Sequence, residues 1–500
     1  MELSRDQIFI LLVCVAASLK ILFFSLSLPF FPLDEELHFD AIQKFASGYK
    51  AQAPLPSLDK QSVEIIELYH SPEFLRVAEP GRPFVPLSSW CRPSQEHLPP
   101  ELADRIAIWG PVKNVEIDAP PAYYTIEAVW YKIGRWMGYS GLFLLYWLRS
   151  LSALAYGVFV LLAWLFVREC YRDNRFLQIC VPIFLLVFPQ DCFLFLIPNS
   201  LSAVWMTAAL LLFAKVVNKP ERSVALYAAA GLAAATTALL SFGNFTVGLV
   251  VCVAAYFLVK PAWALPQRDS RIAKTLVMMV AAAVPVGAWL VHNRLILGNW
   301  SGSKSKQEFL TWTVKPISEW IHHPLFTFAG FHYFLATLAR NFWRGEMYWG
   351  AEPRTAAIDP FYLWLSLFLC GVFVVHILRR RTAGTGVSFA DAASILLILG
   401  SVLFLMALSM PFDFGRCFYP SRARPYFVSG RLIIGALVPF LILFLGGLQV
   451  VCGWISKRLN PLYVAIPLAA CVFVVETVLF IPILSSRFNL ISFLLGRSCS

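Results

Sequence analysis

Residues 34–40 read Asp-Glu-Glu-Leu-His-Phe-Asp, directly after an apolar run from about residue 7 to 31. That run is long enough to cross a bilayer and longer than the apolar part of a cleaved signal, and no small-residue cleavage site follows it. It reads as a retained first membrane span, in which Lys20 either stretches to the interface or lines the protein interior. Five ionisable side chains (Asp34, Glu35, Glu36, His38, Asp40) then stand where the helix leaves the bilayer, a place where charge is costly to keep.

Composition agrees with a membrane chain. Of 500 residues, 58% are hydrophobic and 14% charged, and the mean hydropathy is +0.67. A soluble protein of this length cannot bury so much apolar surface, so the bilayer is part of its solvent. The net charge of +11 would suit a nucleic-acid partner, but the basic residues gather in short connections between apolar runs, the pattern of a membrane protein's cytoplasmic side.

Runs long enough to span occur at roughly 7–31, 143–167, 176–196, 197–217, 223–242, 243–260, 272–292, 357–378, 389–410, 429–452 and 461–484. The expected fold is therefore all-α and polytopic, one integral membrane domain over 1–500 with about eleven spans (range 10–13). The range reflects two pairs divided only by Pro198-Asn199-Ser200 and by Gly243-Asn244. Alternate connections carry Arg168, Arg172 and Arg175; Lys215, Lys219 and Arg222; Lys260, Arg268, Arg271 and Lys274; Arg379, Arg380 and Arg381; Lys457 and Arg458. This puts the N-terminus in the cytoplasm and the connections 32–142, 293–356 and 411–428 outside. The first outer loop has helical patterns at about 35–47, 60–70 and 122–137, the last amphipathic and aromatic like an interfacial helix. Most of the eleven cysteines lie in spans as small apolar residues. Without a CxxC pair a zinc site is not expected. Cys91 and Cys417 both fall in outer loops, where a disulfide between them is chemically allowed.

Two readings apply to the acidic turn. As structure, Asp34 caps a helix whose first turn holds Glu35 and Glu36, with Leu37, Ala41 and Phe45 as its apolar stripe and Gly48 as its stop. As chemistry, a carboxylate at the membrane–water border takes a proton from an incoming hydroxyl, with His38 one turn further on the same face. The basic loop near 411–431 supplies Arg416, Arg422, Arg424 and Arg431 among Phe418, Tyr419, Tyr426 and Phe427, and guanidinium forks bind phosphate. Lipid headgroups would use the same chemistry. Arg294, beside His292, and Arg344, within Asn341-Phe-Trp-Arg-Gly-Glu, are further anion-binding candidates, whereas His322 and His323 read as structural.

Pro32-Leu33-Asp34-Glu35-Glu36-Leu37-His38 resembles the signature that follows the first span in a bacterial branch of the GT-C superfamily of membrane glycosyltransferases, which use polyprenyl-phosphate sugars. Ala119-Pro120-Pro121-Ala122-Tyr123-Tyr124, Leu148-Arg149-Ser150-Leu151-Ser152, Pro198-Asn199-Ser200 and Ser429-Gly430-Arg431-Leu432 resemble further elements of such enzymes, in the same order. The resemblance implies an inverting transfer from a polyprenyl-phosphate-linked donor to a hydroxyl of a glycan, lipid or protein on the outer face of a bacterial inner membrane. Asp34 would be the base and Glu35 the second acid. His38, Arg294, Arg344, Arg416, Arg422, Arg424, Arg431 and Tyr426 would bind substrate. Some relatives use a divalent cation; Asp34, Glu35 and His38 offer suitable donor atoms, and the cofactor stays open. A transporter or flippase of an anionic substrate is the competing reading, with Asn199 and Asn244 at helix breaks in its favour. A glycan polymerase or ligase is the third, although such enzymes carry their large outer loop late in the chain.

Overall fold

The computed structural model describes residues 4–30, 34–51, 54–69, 102–190, 195–262, 268–346, 355–382, 386–417, 419–486 and 489. Pro32, Leu33, Cys91 and Phe418, and with Cys91 the proposed disulfide, lie outside these. The helices are α1 (Arg5–Ser25), α2 (Glu35–Ala46), α3 (Lys60–Tyr69), α4 (Leu102–Ile108), α5 (Ala122–Trp136), α6 (Gly141–Cys170), α7 (Arg175–Leu186), α8 (Asn199–Asn218), α9 (Val224–Ala238), α10 (Val247–Ala262), α11 (Arg268–Ile296), α12 (Lys304–Phe309), α13 (Ile317–Trp320), α14 (Phe328–Arg344), α15 (Asp359–Thr382), α16 (Phe389–Ser409), α17 (Leu437–Ile455) and α18 (Leu462–Ser485). Two short strands, β1 (Thr313–Val314) and β2 (Phe412–Asp413), pair antiparallel.

The protein is an all-α, polytopic membrane protein. Among the described residues nine helices are long and apolar enough to cross a bilayer: α1, α6, α8, α10, α11, α15, α16, α17 and α18, three of them extended at the N-terminal end by 3₁₀ turns. Where spans were expected at 176–196 and 223–242, the chain forms the shorter apolar helices α7 and α9. Each stops early for a local reason. Pro182 lies inside α7 and Pro189 follows it, removing backbone donors. The segment after α9 turns into a 3₁₀ stretch over Phe242–Thr246 that leads into α10.

Helix α17 is the centre of the bundle, with 89% of its apolar window buried, whereas α11 buries 11% and turns the rest outward to lipid. Lys20 lines the interior: its Nζ lies 3.2 Å from Glu476 Oε1, tying α1 to α18 within the bilayer. The pairing answers the cost of a lone charge in hydrocarbon.

The three helical patterns of the first outer loop are α2, α3 and α5. Asp40, fully buried on α2, organises the loop. It accepts from Lys44 Nζ at 2.6 Å, from Asn114 Nδ2 at 2.8 Å and from the Asp59 amide at 2.8 Å. These bonds pull residues 56–59 and 112–116 down onto α2.

Between α1 and α2 the chain reverses around Arg149, a fully buried guanidinium on α6. Its Nε and Nη2 grip Glu35 Oε1 and Oε2 at 2.7 and 2.5 Å. Its Nη1 donates to the carbonyls of Ser25 and Leu28, both at 2.5 Å. From Arg149 to Arg168 α6 rises about 29 Å at 1.5 Å per residue, about one hydrocarbon thickness. The acidic turn is therefore at one mouth of the bundle. Arg168, Arg172, Arg175, Lys215 and Arg380 line grooves at the other.

Removing one partner of a buried pair strands the other charge, at a cost of roughly 3–5 kcal/mol. Arg149→Met is expected to lower stability by that order in detergent unfolding, and Glu35→Gln with Arg149→Met to recover part of the loss. Additive losses would show that the pair is not coupled.

Candidate active site

Asp34 occupies the position before α2, and its carbonyl accepts the amides of Leu37 and His38 at 3.0 and 3.1 Å. Its side chain, however, does not cap the helix as expected from the sequence. The residue is held in the left-handed region (φ 64°, ψ 19°), a conformation that costs energy for a non-glycine residue and that Asp and Asn tolerate best. The carboxylate points instead at Arg431, whose Nη2 lies 3.0 Å from Oδ2. Nearly half of the Asp34 side chain (46%) stays open to solvent, which leaves room for a reactant.

Arg431 is fixed by close backbone contacts on either side. A Cβ on Gly430 would fall 2.3 Å from the Phe342 amide nitrogen, so α14 can approach only glycine there. On the other side Leu432 O lies against Gly243, where a Cβ would fall 2.0 Å away. Asn199 Nδ2 donates to Arg431 O at 2.9 Å, and Asn341 Nδ2 to Val428 O at 2.9 Å. Ser429 Oγ donates to Glu346, whose charge also faces Arg431. Asn244 is likewise spent internally, on Ser202 Oγ (2.8 Å) and Thr237 O (3.0 Å). The two asparagines at the helix breaks thus brace the bundle, and the transporter reading loses the feature that favoured it.

Glu35 is next to Asp34 in sequence but turned the opposite way, into the Arg149 fork. Both its oxygens are engaged and only 1% of the residue is exposed. A carboxylate so held has no position from which to act as a second acid, which corrects the expectation for it. His38 lies near Asp34, whose charge acts on it, but its hydrogen bond goes elsewhere. Its Nδ1 lies 2.8 Å from the Tyr124 hydroxyl, and burial pushes its pKa down to about 4, so it is neutral at pH 7.

Three groups not singled out in the sequence complete the cluster. Glu36 has a pKa pushed up to about 8, chiefly by burial, then by the charges of Asp34, Glu35 and Glu116. Its Oε2 is buried without a hydrogen-bond partner among the described residues. Glu116, from the end of the first loop, is 2.6 Å from Lys306 on α12. Burial opposes its ionisation, but Lys306, His38 and Arg431 outweigh that and hold it below the usual carboxylate range. The mouth thus joins Asp34, Glu36, Glu116 and Glu346 to Arg431 and Lys306, from five separate parts of the chain.

Of the eight residues expected to bind substrate, only His38 and Arg431 join Asp34. Arg344 is buried and bidentate on Asp359, both contacts at 2.8 Å, which makes it a structural ion pair. Exposed Arg294 donates to Gly298 O at 2.5 Å, closing the end of α11. Arg422 is exposed and held by Asp413 at 2.8 and 3.0 Å. Arg424 lies over the Tyr333 ring at 5.3 Å, and Arg416 is exposed. Tyr426 is buried among His323, Tyr333 and Phe334. Among the described residues no three His, Cys, Asp or Glu side chains gather as a metal-binding group. Asp34, Glu35 and His38 are engaged instead by Arg431, Arg149 and Tyr124 and form no such group.

No family model matches the chain, and no curated protein sequence matches it. Solved structures similar to it include the Archaeoglobus fulgidus oligosaccharyltransferase with zinc and sulfate, at 12% identity and a TM-score of 0.40 over 72% of this chain and 44% of that one. Another is the archaeal oligosaccharyltransferase AglB from Archaeoglobus fulgidus with an inhibitory peptide and a dolichol-phosphate, at 13% identity and a TM-score of 0.34 over 72% and 47%. The chain spans less than half the length of either.

Folded Glu36 retains a proton that the unfolded chain, with an ordinary pKa near 4.5, gives up. Stability attached to this group therefore falls as pH rises from about 4.5 to about 8. Glu36→Gln abolishes that dependence. Its unfolding midpoint relative to wild type is expected to be higher at about pH 8 than at about pH 5. An equal difference at both pH values would show that Glu36 ionises normally.

Proposed function

We propose that the protein is a GT-C-type membrane glycosyltransferase. It moves a sugar from a polyprenyl-phosphate donor to a hydroxyl acceptor (a lipid, glycan or protein) with inversion. The observation that carries the reading is the half-open Asp34 carboxylate, held in a strained backbone conformation against Arg431. The resemblance of Pro32–His38 and Ser429–Leu432 to GT-C motifs adds to it, because these two motifs form the two halves of the contact.

In the reaction Asp34 accepts the proton of the acceptor hydroxyl as its oxygen attacks the anomeric carbon. The bond from that carbon to the donor phosphate oxygen breaks, and its electron pair leaves with the phosphate. Arg431 offers its guanidinium to the phosphate, at a site next to the base, so that base and leaving group flank the sugar. Glu35 and Arg149 act as positioning residues by fixing the turn that presents Asp34. Proton transfer of this kind contributes typically ~10²–10⁴ in rate. No step is assigned to a metal. The concentration of cations at the opposite mouth supports an N-terminus in the cytoplasm and a site on the extracytoplasmic face, and the motif resemblance favours a bacterial inner membrane.

Asparagine tolerates the left-handed backbone, so Asp34→Asn removes the charge and keeps the turn. That variant is expected to lose roughly 10²–10⁴ of sugar transfer from a polyprenyl-phosphate donor, measured in membranes expressing the protein, with its unfolding midpoint near wild type. Arg431→Ala should mainly raise the donor KM. Full transfer by Asp34→Asn would refute the base, and an unchanged donor KM would remove Arg431 from the phosphate site.

A further inference from the structure

Arg416, Arg422 and Arg424, left outside the site, share the loop after α16. The pairing of β1 with β2 joins the segment around α12 and α13 to the basic loop after α16, where Arg416 and Arg424 are exposed, the latter with its guanidinium over the Tyr333 ring. Lys315 follows β1, and its amide donates to Pro411 O at 2.7 Å. Beside these cations stand large apolar side chains that no other described part of the chain covers. Val314 is 69% exposed, Ile317 75%, Ile321 69%, Phe326 61% and Phe328 88%. Exposed apolar surface on this scale marks an interaction site.

Its setting says what covers it. The patch adjoins the outward side of a span. His332 on α14 packs on Trp364 of α15 at 6.4 Å between ring centroids, and Trp364 is 60% exposed. Leu295 and Ile296, the last residues of α11, are likewise 76% and 52% exposed. Helix α14 is amphipathic, burying Phe334, Leu338 and Phe342 while Phe328 and Phe331 face out. Apolar side chains level with span ends, with Lys and Arg alongside, are the pattern of an element lying in the headgroup region of an anionic membrane. Asp413 is already held by Arg422 and the exposed Glu319 on α13 offsets one cation, so Arg416, Arg424 and Lys315 leave the surface with a net positive charge.

We propose that the surface formed by residues 313–331, 411–417 and 419–427 docks onto the bilayer leaflet next to the candidate site and selects anionic phospholipid. Ile317, Ile321, Phe326 and Phe328 enter the acyl boundary, and Arg416, Arg424 and Lys315 bind lipid phosphates. The proposal does not depend on the catalytic role of Asp34. It gives Arg416 and Arg424 a partner in the membrane.

The test is backbone hydrogen exchange on the full-length protein in nanodiscs of phosphatidylcholine alone and of phosphatidylcholine with phosphatidylglycerol. Exchange across 313–331 is expected to slow by roughly tenfold with the anionic lipid, since each basic residue near such a surface contributes measurably. Arg416→Ala with Arg424→Ala should cancel that difference, and Phe328→Ser with Ile317→Ser should raise exchange in both lipids. Unchanged protection across α17 verifies that each variant is folded. Equal exchange in the two lipids would overturn the proposal. So would protection that rises with protein concentration in detergent, which would assign the face to a second copy of the chain.

Discussion

The arginine fork on α6 is the constraint on which the rest of the mouth depends. A guanidinium with no solvent contact has to satisfy its donors within the protein. Arg149 does so by drawing together the end of α1, the turn after it and the first residue of α2. Once Glu35 is locked, the residue before it is left with little conformational freedom. Asp34 is held in a left-handed turn with its carboxylate facing away from Glu35, toward the mouth. Two adjacent acids thus have opposite fates: one is spent on structure, and the other is left half exposed opposite a cation from the far end of the chain.

The same division explains what the sequence could and could not reveal. Hydrophobic run length identified the long helices, and local periodicity located α2, α3 and α5 because each depends on neighbours within a few residues. The segments at 176–196 and 223–242 read as spans because hydropathy does not register where a proline or a 3₁₀ turn stops a helix. The motif resemblance points to Asp34 as the base, but that Glu35 is spent on structure was not legible, since this turns on Arg149, more than a hundred positions away. Nor could arginine density single out Arg431. What distinguishes it is the contact of Gly430 with α14 and of Leu432 with Gly243, while Arg416, Arg422 and Arg424 stay on an exposed loop. Glu116 and Lys306 carry no motif and are significant only because two loops meet over α2.

The electrostatics of the mouth fit a site that handles both a proton and an anion. His38 is neutral, Glu36 holds a proton near neutral pH, and Glu116 stays ionised beside Lys306. Arg431 is thereby left facing Asp34 and Glu346 without a further charge from Glu36. Ionising groups placed so close cannot all carry charge at once, and their separation into protonated and ionised members is characteristic of sites built for chemistry.

The central claim is that Asp34 and Arg431 flank the point where lipid phosphate leaves. The most direct measurement is a structure of the protein with a bound polyprenyl phosphate. The account predicts phosphate oxygens within hydrogen-bond distance of the Arg431 guanidinium, with open space between them and the Asp34 carboxylate for a sugar. Phosphate bound instead at Arg416 and Arg424, with the Asp34–Arg431 contact closed and unchanged, would contradict it.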